Sequence, residues 1–142
     1  MQVREYKPDD FSEVIHLWAE TGLGNDQRGD NAEVIEHTLA SGGKLLILES
    51  DENTIAGTSW LTNDGRRTYL HHFCISAKYQ GKGLSKLLLA ETLKLAKGMG
   101  MQIKIEVHRR NFHAIELYRN AGFSYLGDYL VYIIRDVELL SY

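Results

Sequence analysis

Apolar and polar positions change period several times along the chain, and each change marks an element. Residues 2–6 predict a short strand. Lys7-Pro8-Asp9-Asp10 then opens a helix, because proline fits a first turn and acids suit the positive end of a helix. Phe11, Val14, Ile15 and Trp18 recur at i, i+3, i+4 and i+7, which gives that helix one apolar face. The polar, glycine-rich stretch 21–29 predicts a loop. Asn31 can cap a second short helix carrying Val34, Ile35 and Leu39, stopped at Ser41-Gly42-Gly43.

The period then shortens to that of strands. Residues 44–49 and 54–61 flank Asp51-Glu52-Asn53, a hairpin composition. Residues 68–76 follow Asn63-Asp64-Gly65, where Asp-Gly is a strong turn signal. Three strands joined by short turns predict an antiparallel meander. Residues 83–97 return to helical spacing and stop at Gly98 and Gly100. Ile103, Ile105 and Val107 alternate within a strand over 102–107. A helix over 111–121 closes on Gly122, and 123–126 and 129–137 predict two final strands. Residues 68–107 are thus strand, glycine-rich turn, helix, strand, and a crossover of that length makes the two strands parallel. The expected fold is a single α+β domain spanning the 142 residues, with no repeat, linker or low-complexity tract.

Composition narrows the function. The chain is 44% hydrophobic and 25% charged with one proline, an ordinary composition for a globular protein. A formal net charge of −3 argues against nucleic acid as the main partner. No apolar run approaches the ~20 residues of a membrane span, and the charged N-terminus has no signal-peptide core. The single Cys74 excludes an internal disulfide and suits a reducing compartment, so a cytoplasmic location is expected.

The candidate chemistry starts in the glycine turn. A helix N-terminus leaves backbone N–H groups unpaired and carries partial positive charge, and an anion fits there if the backbone can come close. Gly81 and Gly83, flanked by Lys82 and Lys86, stand at that point. Taken alone the two glycines can equally make nothing more than a tight turn. A P-loop is excluded, since there is no Gly five residues upstream of Gly81-Lys82. The dinucleotide fingerprint would need a glycine where Lys86 stands, and it belongs to a parallel sheet rather than to a turn after a meander.

Residues 75–85, ISAKYQGKGLS, resemble the acetyl-CoA signature of the Gcn5-related N-acetyltransferase (GNAT) family, [QR]-x-x-G-x-[GA] after a strand. Gln80 and Gly83 match; Ser85 stands where Gly or Ala is usual, and it is small. The order of elements along nearly the whole chain is also similar to the family's. A second stretch resembles the family pattern N-x-x-A-x-x-x-Y-x-x-x-G-F, filled by Asn111, Ala114, Tyr118, Gly122 and Phe123. Asn111, Ala114 and Tyr118 would share one helical face. Each also has a purely structural reading: an N-cap, a core tyrosine, and a helix stop with its hydrophobic contact.

The resemblance implies a mixed, mostly antiparallel sheet with a splayed central parallel pair, flanking helices, and acetyl-CoA between the splayed strands. It implies backbone contacts to the pantetheine arm from Phe73, Cys74 and Ile75. Pyrophosphate contacts would come from Gln80, Gly81, Lys82, Gly83, Leu84, Ser85 and Lys86, with Asn111, Ala114 and Tyr118 completing the coenzyme side. It makes Tyr118 the group facing the coenzyme A sulfur. From reference values, a tyrosine near pKa ~10 donating to a thiolate near ~8.5 is uphill by about 2 kcal/mol, so a hydrogen bond to the departing thiolate can serve without full transfer.

The expected activity is direct transfer of acetyl to a primary amine, on a small molecule or a protein. A lysine-like amine near ~10.4 loses about 4.6 kcal/mol to deprotonation at pH 7 and an α-amine near ~7.8 about 1, so a base matters more for the first. Strict alternation would put Tyr69, His71, Phe73 and Ile75 on one face and Leu70, His72 and Cys74 on the other. Some family members carry histidine bases on this strand, and by that resemblance His71 is the candidate base. The same alternation argues against a metal at His71, His72 and Cys74. Cys74 is not expected as a nucleophile, because the family transfers acetyl directly. His108, Arg109 and Arg110 read as a solvated basic turn. The acceptor cleft is expected along the first two helices and the 21–30 loop, with Trp18, Asn25, Asp26, Arg28 and Asp30 available. Two other classes fit the same residues: a sensor that holds acetyl-CoA without catalysis, and an interaction module using a sheet edge. Homodimers are common in the family.

Overall fold

A computed structural model describes residues 1–24 and 29–141. The chain forms two compact units, Met1–Glu106 and Val107–Tyr142.

The first unit is built on a five-stranded sheet of order β1-β2-β3-β4-β5: Gln2–Glu5, Lys44–Glu49, Ile55–Asn63, Arg67–Ile75 and Gln102–Ile105. The first four strands pair antiparallel, and β5 runs parallel to β4. The meander, the parallel pair and the flanking helices predicted from the sequence are all present. The parallel pair closes one end of this sheet.

Helix α1 (Phe11–Glu20) follows a 3-10 turn at Pro8–Asp10. Arg4 bridges β1, β2 and this turn, donating to both Asp10 oxygens at 2.8 and 2.9 Å and to Glu49 at 2.8 Å. The guanidinium holds the Asp10 carboxyl below its ordinary range. A carboxyl depressed in the fold contributes stability above its unfolded pKa and loses it as pH falls through the folded value. Asp10→Asn is therefore expected to cost about 1–2 kcal/mol at pH 7 and progressively less as pH falls through the folded value, read from urea midpoints across pH. A cost unchanged at low pH would count against the ion pair as its source.

Helix α2 (Ala32–Ala40) starts where expected, with the Asn31 side chain accepting from the Val34 N–H at 2.9 Å. One core layer lies between α1, α2 and the sheet: Val14, Leu17, Trp18, Ile35, Ile47 and Trp60 are buried together. The other face carries Leu46, Leu48, Ala56, Ile75, Tyr79 and Leu88 under α3 (Leu84–Met99). Ser59 and Thr92, both fully buried, bond each other at 2.7 Å there, so neither hydroxyl is stranded. Helix α3 runs through Gly98 and is capped by Gly100 in the left-handed region.

In the second unit, α4 (Phe112–Ala121) has Asn111 as its N-cap, accepting from Ala114 N–H at 3.2 Å, and Gly122 as its left-handed stop. Tyr118 is its buried residue and meets Phe123 edge-on at 5.6 Å between ring centroids. The two strands expected over 123–126 and 129–137 are not formed. Tyr129, Leu130, Val131, Tyr132, Ile133 and Ile134 are 60–86% exposed. The residue types favour a strand, but a strand exists only where a second one takes up its hydrogen bonds, and local composition does not supply that partner.

Candidate active site

Strand β4 carries the candidate site, and its geometry departs from simple alternation. Thr58 pairs with Cys74 and Trp60 with His71, so two steps on β3 match three on β4. The extra residue makes a bulge, and His72 adopts φ +45°, a left-handed conformation uncommon outside glycine. The faces are therefore not those expected. His71 and His72 both lie on the α1/α2 side with Trp60, and Cys74 packs there too, while Phe73 packs on the α3 side. The alternation argument against a metal falls with the correction; among the described residues, no three His, Cys, Asp or Glu side chains gather to hold one.

The bulge is fastened from three directions. Thr58 Oγ1 donates to the His72 carbonyl at 2.7 Å and accepts from Trp18 Nε1 at 2.8 Å. Trp18 lies 4.3 Å from the His72 ring and stacks on Trp60 at 5.5 Å. His72 Nε2 meets Asp30 Oδ2 at 2.7 Å, both side chains about 10% exposed. Trp18, expected to line a cleft, is instead fully buried. Asn25, Asp26 and Arg28 lie outside the described residues.

His71 is exposed along one edge, and its Nε2 bonds Thr62 Oγ1 at 2.8 Å. Its pKa is lowered, first because surrounding protein withdraws water from the ring and then by His72. The ring is thus uncharged at neutral pH. The Cys74 thiol is pushed up by burial, which keeps it protonated and a poor nucleophile.

The parallel ladder ends at Leu70 and Ile105, so β4 from His71 onward has no β5 residue opposite it. Phe73, Cys74 and Ile75 lie beyond that last pair, and the strand leads into the glycine turn. The Gln80 side-chain amide donates to the Ile75 carbonyl at 2.9 Å, tying the turn to the strand end. Gly81 and Gly83 have φ +79° and +75°, and a Cβ on either would meet nothing within 4 Å. Glycine is demanded by backbone conformation, in front of open space. Gly83 is the N-cap of α3, so the amides of Leu84, Ser85 and Lys86 begin the helix without intrahelical partners. Lys82 and Lys78 lie 5.6 and 5.3 Å from the Tyr79 ring, keeping positive charge beside the turn. Ser85 is half-buried in the first turn of α3. Such a cradle fits a phosphate-bearing ligand. Asn111, Ala114 and Tyr118 belong to the second unit, Asn111 as the N-cap of α4 and Ala114 and Tyr118 within it.

Residues 11–123 match the family model for the acetyltransferase (GNAT) family, and the chain belongs to that family. Its fold is similar to that of an acetyltransferase from Streptococcus agalactiae (TM-score 0.76, 20% identity, 94% of this chain and 90% of that one). It is also similar to a GNAT-family acetyltransferase from Staphylococcus aureus (TM-score 0.74, 22% identity, 85% and 81%). A Trypanosoma brucei acetyltransferase superposes with TM-score 0.74 at 14% identity, over 94% and 99% of the chains.

Proposed function

We propose that this chain transfers the acetyl group of acetyl-CoA to a primary amine by direct attack on the thioester, as a cytoplasmic enzyme. The observation that carries the reading is the end of the β4–β5 ladder at Leu70 and Ile105, running into two positive-φ glycines and the free amides of α3. An extended thioester arm suits the stretch of β4 beyond that last pair, at Phe73, Cys74 and Ile75, with its pyrophosphate in the cradle from Gln80 to Lys86. Backbone N–H groups along that stretch can polarise the thioester carbonyl, and holding both reactants in place supplies much of the rate. Asn111 and Ala114 order the start of α4, and Tyr118 is the group proposed to meet the departing thiolate. The amine approaches from the α1/α2 face, where His71 is the imidazole proposed to take its proton.

The test is thiol release from acetyl-CoA over a panel of amines, with products weighed by mass spectrometry. An acetylated amine is the expected result; tight coenzyme A binding with no thiol release for any amine would favour a sensor instead. Tyr118→Phe is expected to lower kcat about tenfold with coenzyme A affinity within twofold, and an unchanged kcat would remove Tyr118 from the reaction.

A further inference from the structure

Tyr79 stands just before the glycine turn, and its hydroxyl reaches far from it in sequence. The ring packs among Leu46, Leu48, Ala56 and Leu88, leaving the residue 9% exposed. Phenylalanine would fill that space with no hydroxyl to satisfy. The phenol bonds Thr54 Oγ1 at 3.1 Å, 25 residues back in the chain. Thr54 Oγ1 meets Ser50 Oγ at 2.7 Å, and Ser50 Oγ accepts the N–H groups of Glu52 and Thr54 at 3.2 Å each. Tyr79 is thus tied to the whole turn between β2 and β3.

The same ring carries two cations. Lys78 Nζ stands 5.3 Å from its centroid and Lys82 Nζ 5.6 Å, both within range of cation–π attraction. Lys78 is answered by Glu52 of the β2–β3 turn at 3.6 Å. Lys82 pairs with no carboxylate among the described residues. One lysine closes the tie to the hairpin, and the other keeps its charge for a ligand at the turn.

We propose that Tyr79 is a positioning residue for the phosphate groups of the coenzyme: braced by the β2–β3 turn, it fixes the glycine turn and presents Lys82 to the pyrophosphate. This rests on the acetyl-CoA reading above. The Tyr79 N–H donates to the Ser76 carbonyl at 2.8 Å, and the next side chain, Gln80, holds the Ile75 carbonyl at 2.9 Å. With the phenol also held, the backbone enters Gly81 from a fixed direction. A lysine chain left in water samples many rotamers, so a ring that limits them keeps the ammonium beside the turn and lowers the ordering cost of binding. The β2–β3 turn then contributes to coenzyme affinity through Tyr79 rather than by contact.

The experiment is calorimetric titration of the whole chain with coenzyme A at low and high salt, beside urea midpoints. Lys82→Ala is expected to weaken binding about tenfold and to flatten its salt dependence. Tyr79→Phe, which keeps the ring, should weaken binding about threefold, with KM for acetyl-CoA rising in step and kcat moving less than about twofold. Thr54→Val should do the same, and the two together no more than either alone, since both break one contact. Tyr79→Leu removes the ring, and in that background Lys82→Ala should cost under about twofold. A tyrosine that only fills the core would lower the urea midpoints while leaving coenzyme affinity and the full effect of Lys82→Ala intact, and that result overturns the proposal. Should Tyr79→Leu not fold, Tyr79→Phe and Thr54→Val decide it: unchanged affinity, or losses that simply add, also overturns it. A wild type that binds no coenzyme A overturns the acetyl-CoA reading instead.

Discussion

Trp18→Ala should cost about 3–5 kcal/mol of folding free energy, the largest loss expected from any single truncation in the first unit. The indole is fully buried between the sheet and its helical layer. Removing it opens a cavity against Trp60 and leaves Thr58 Oγ1 without the donor that now reaches it at 2.8 Å. Small domains hold only ~5–15 kcal/mol in total, so the variant should be partly unfolded at 37 °C. Trp18→Phe separates the contributions: it keeps most of the packing and should lose about 1 kcal/mol for the missing indole donor, since Thr58 Oγ1 still donates to the His72 carbonyl. Urea midpoints decide it, and a loss under about 1.5 kcal/mol for the alanine variant would mean that the surrounding layer collapses to fill the gap.

Gly83→Val is expected to separate ligand binding from stability. The residue sits at φ +75° with nothing for a Cβ to strike, so the penalty is backbone strain of about 1–3 kcal/mol rather than a clash. The chain can relieve that strain by rotating the first turn of α3, and this turns the amides of Leu84, Ser85 and Lys86 away from one another. Coenzyme A affinity should therefore fall at least tenfold by calorimetry while the unfolding midpoint moves modestly. Gly98→Ala, in the same helix at an open position without positive φ, should stabilise by about 0.5–1 kcal/mol and leave affinity alone. Equal affinity in Gly83→Val would remove the turn from the binding site.

Much of this was legible from residue order, because it depends on local rules. Asn31 and Asn111 cap the helices they precede, Gly100 and Gly122 stop the helices they follow, and the meander turns fall at Asp51-Glu52-Asn53 and Asn63-Asp64-Gly65. The glycine turn was equally legible, since positive φ at a helix start leaves few alternatives to glycine. The bulge at His72 was not. It depends on a hydroxyl from β3, an indole from α1 and a carboxylate ahead of α2, all distant in sequence. Missing it put His71 and His72 on opposite faces and left Asp30 as one more polar loop residue. Trp18 was assigned to a cleft because helical periodicity marks an apolar face without saying how deeply it is covered. The strands expected over 123–137 failed for a related reason: propensity describes a residue's fitness for a sheet and not the presence of a neighbour.

The bulge also limits how this corner can vary between related chains. Inside and outside along a strand are a matter of odd and even, and the turn at His72 switches the count once. Deleting one residue between Leu70 and Cys74 would switch it back, exchanging the inner and outer sets on one side of the cut. Replacing a residue there leaves the count untouched. Variation at this corner is thus open to substitution and closed to changes of length, and imidazoles and indoles can be exchanged there one at a time.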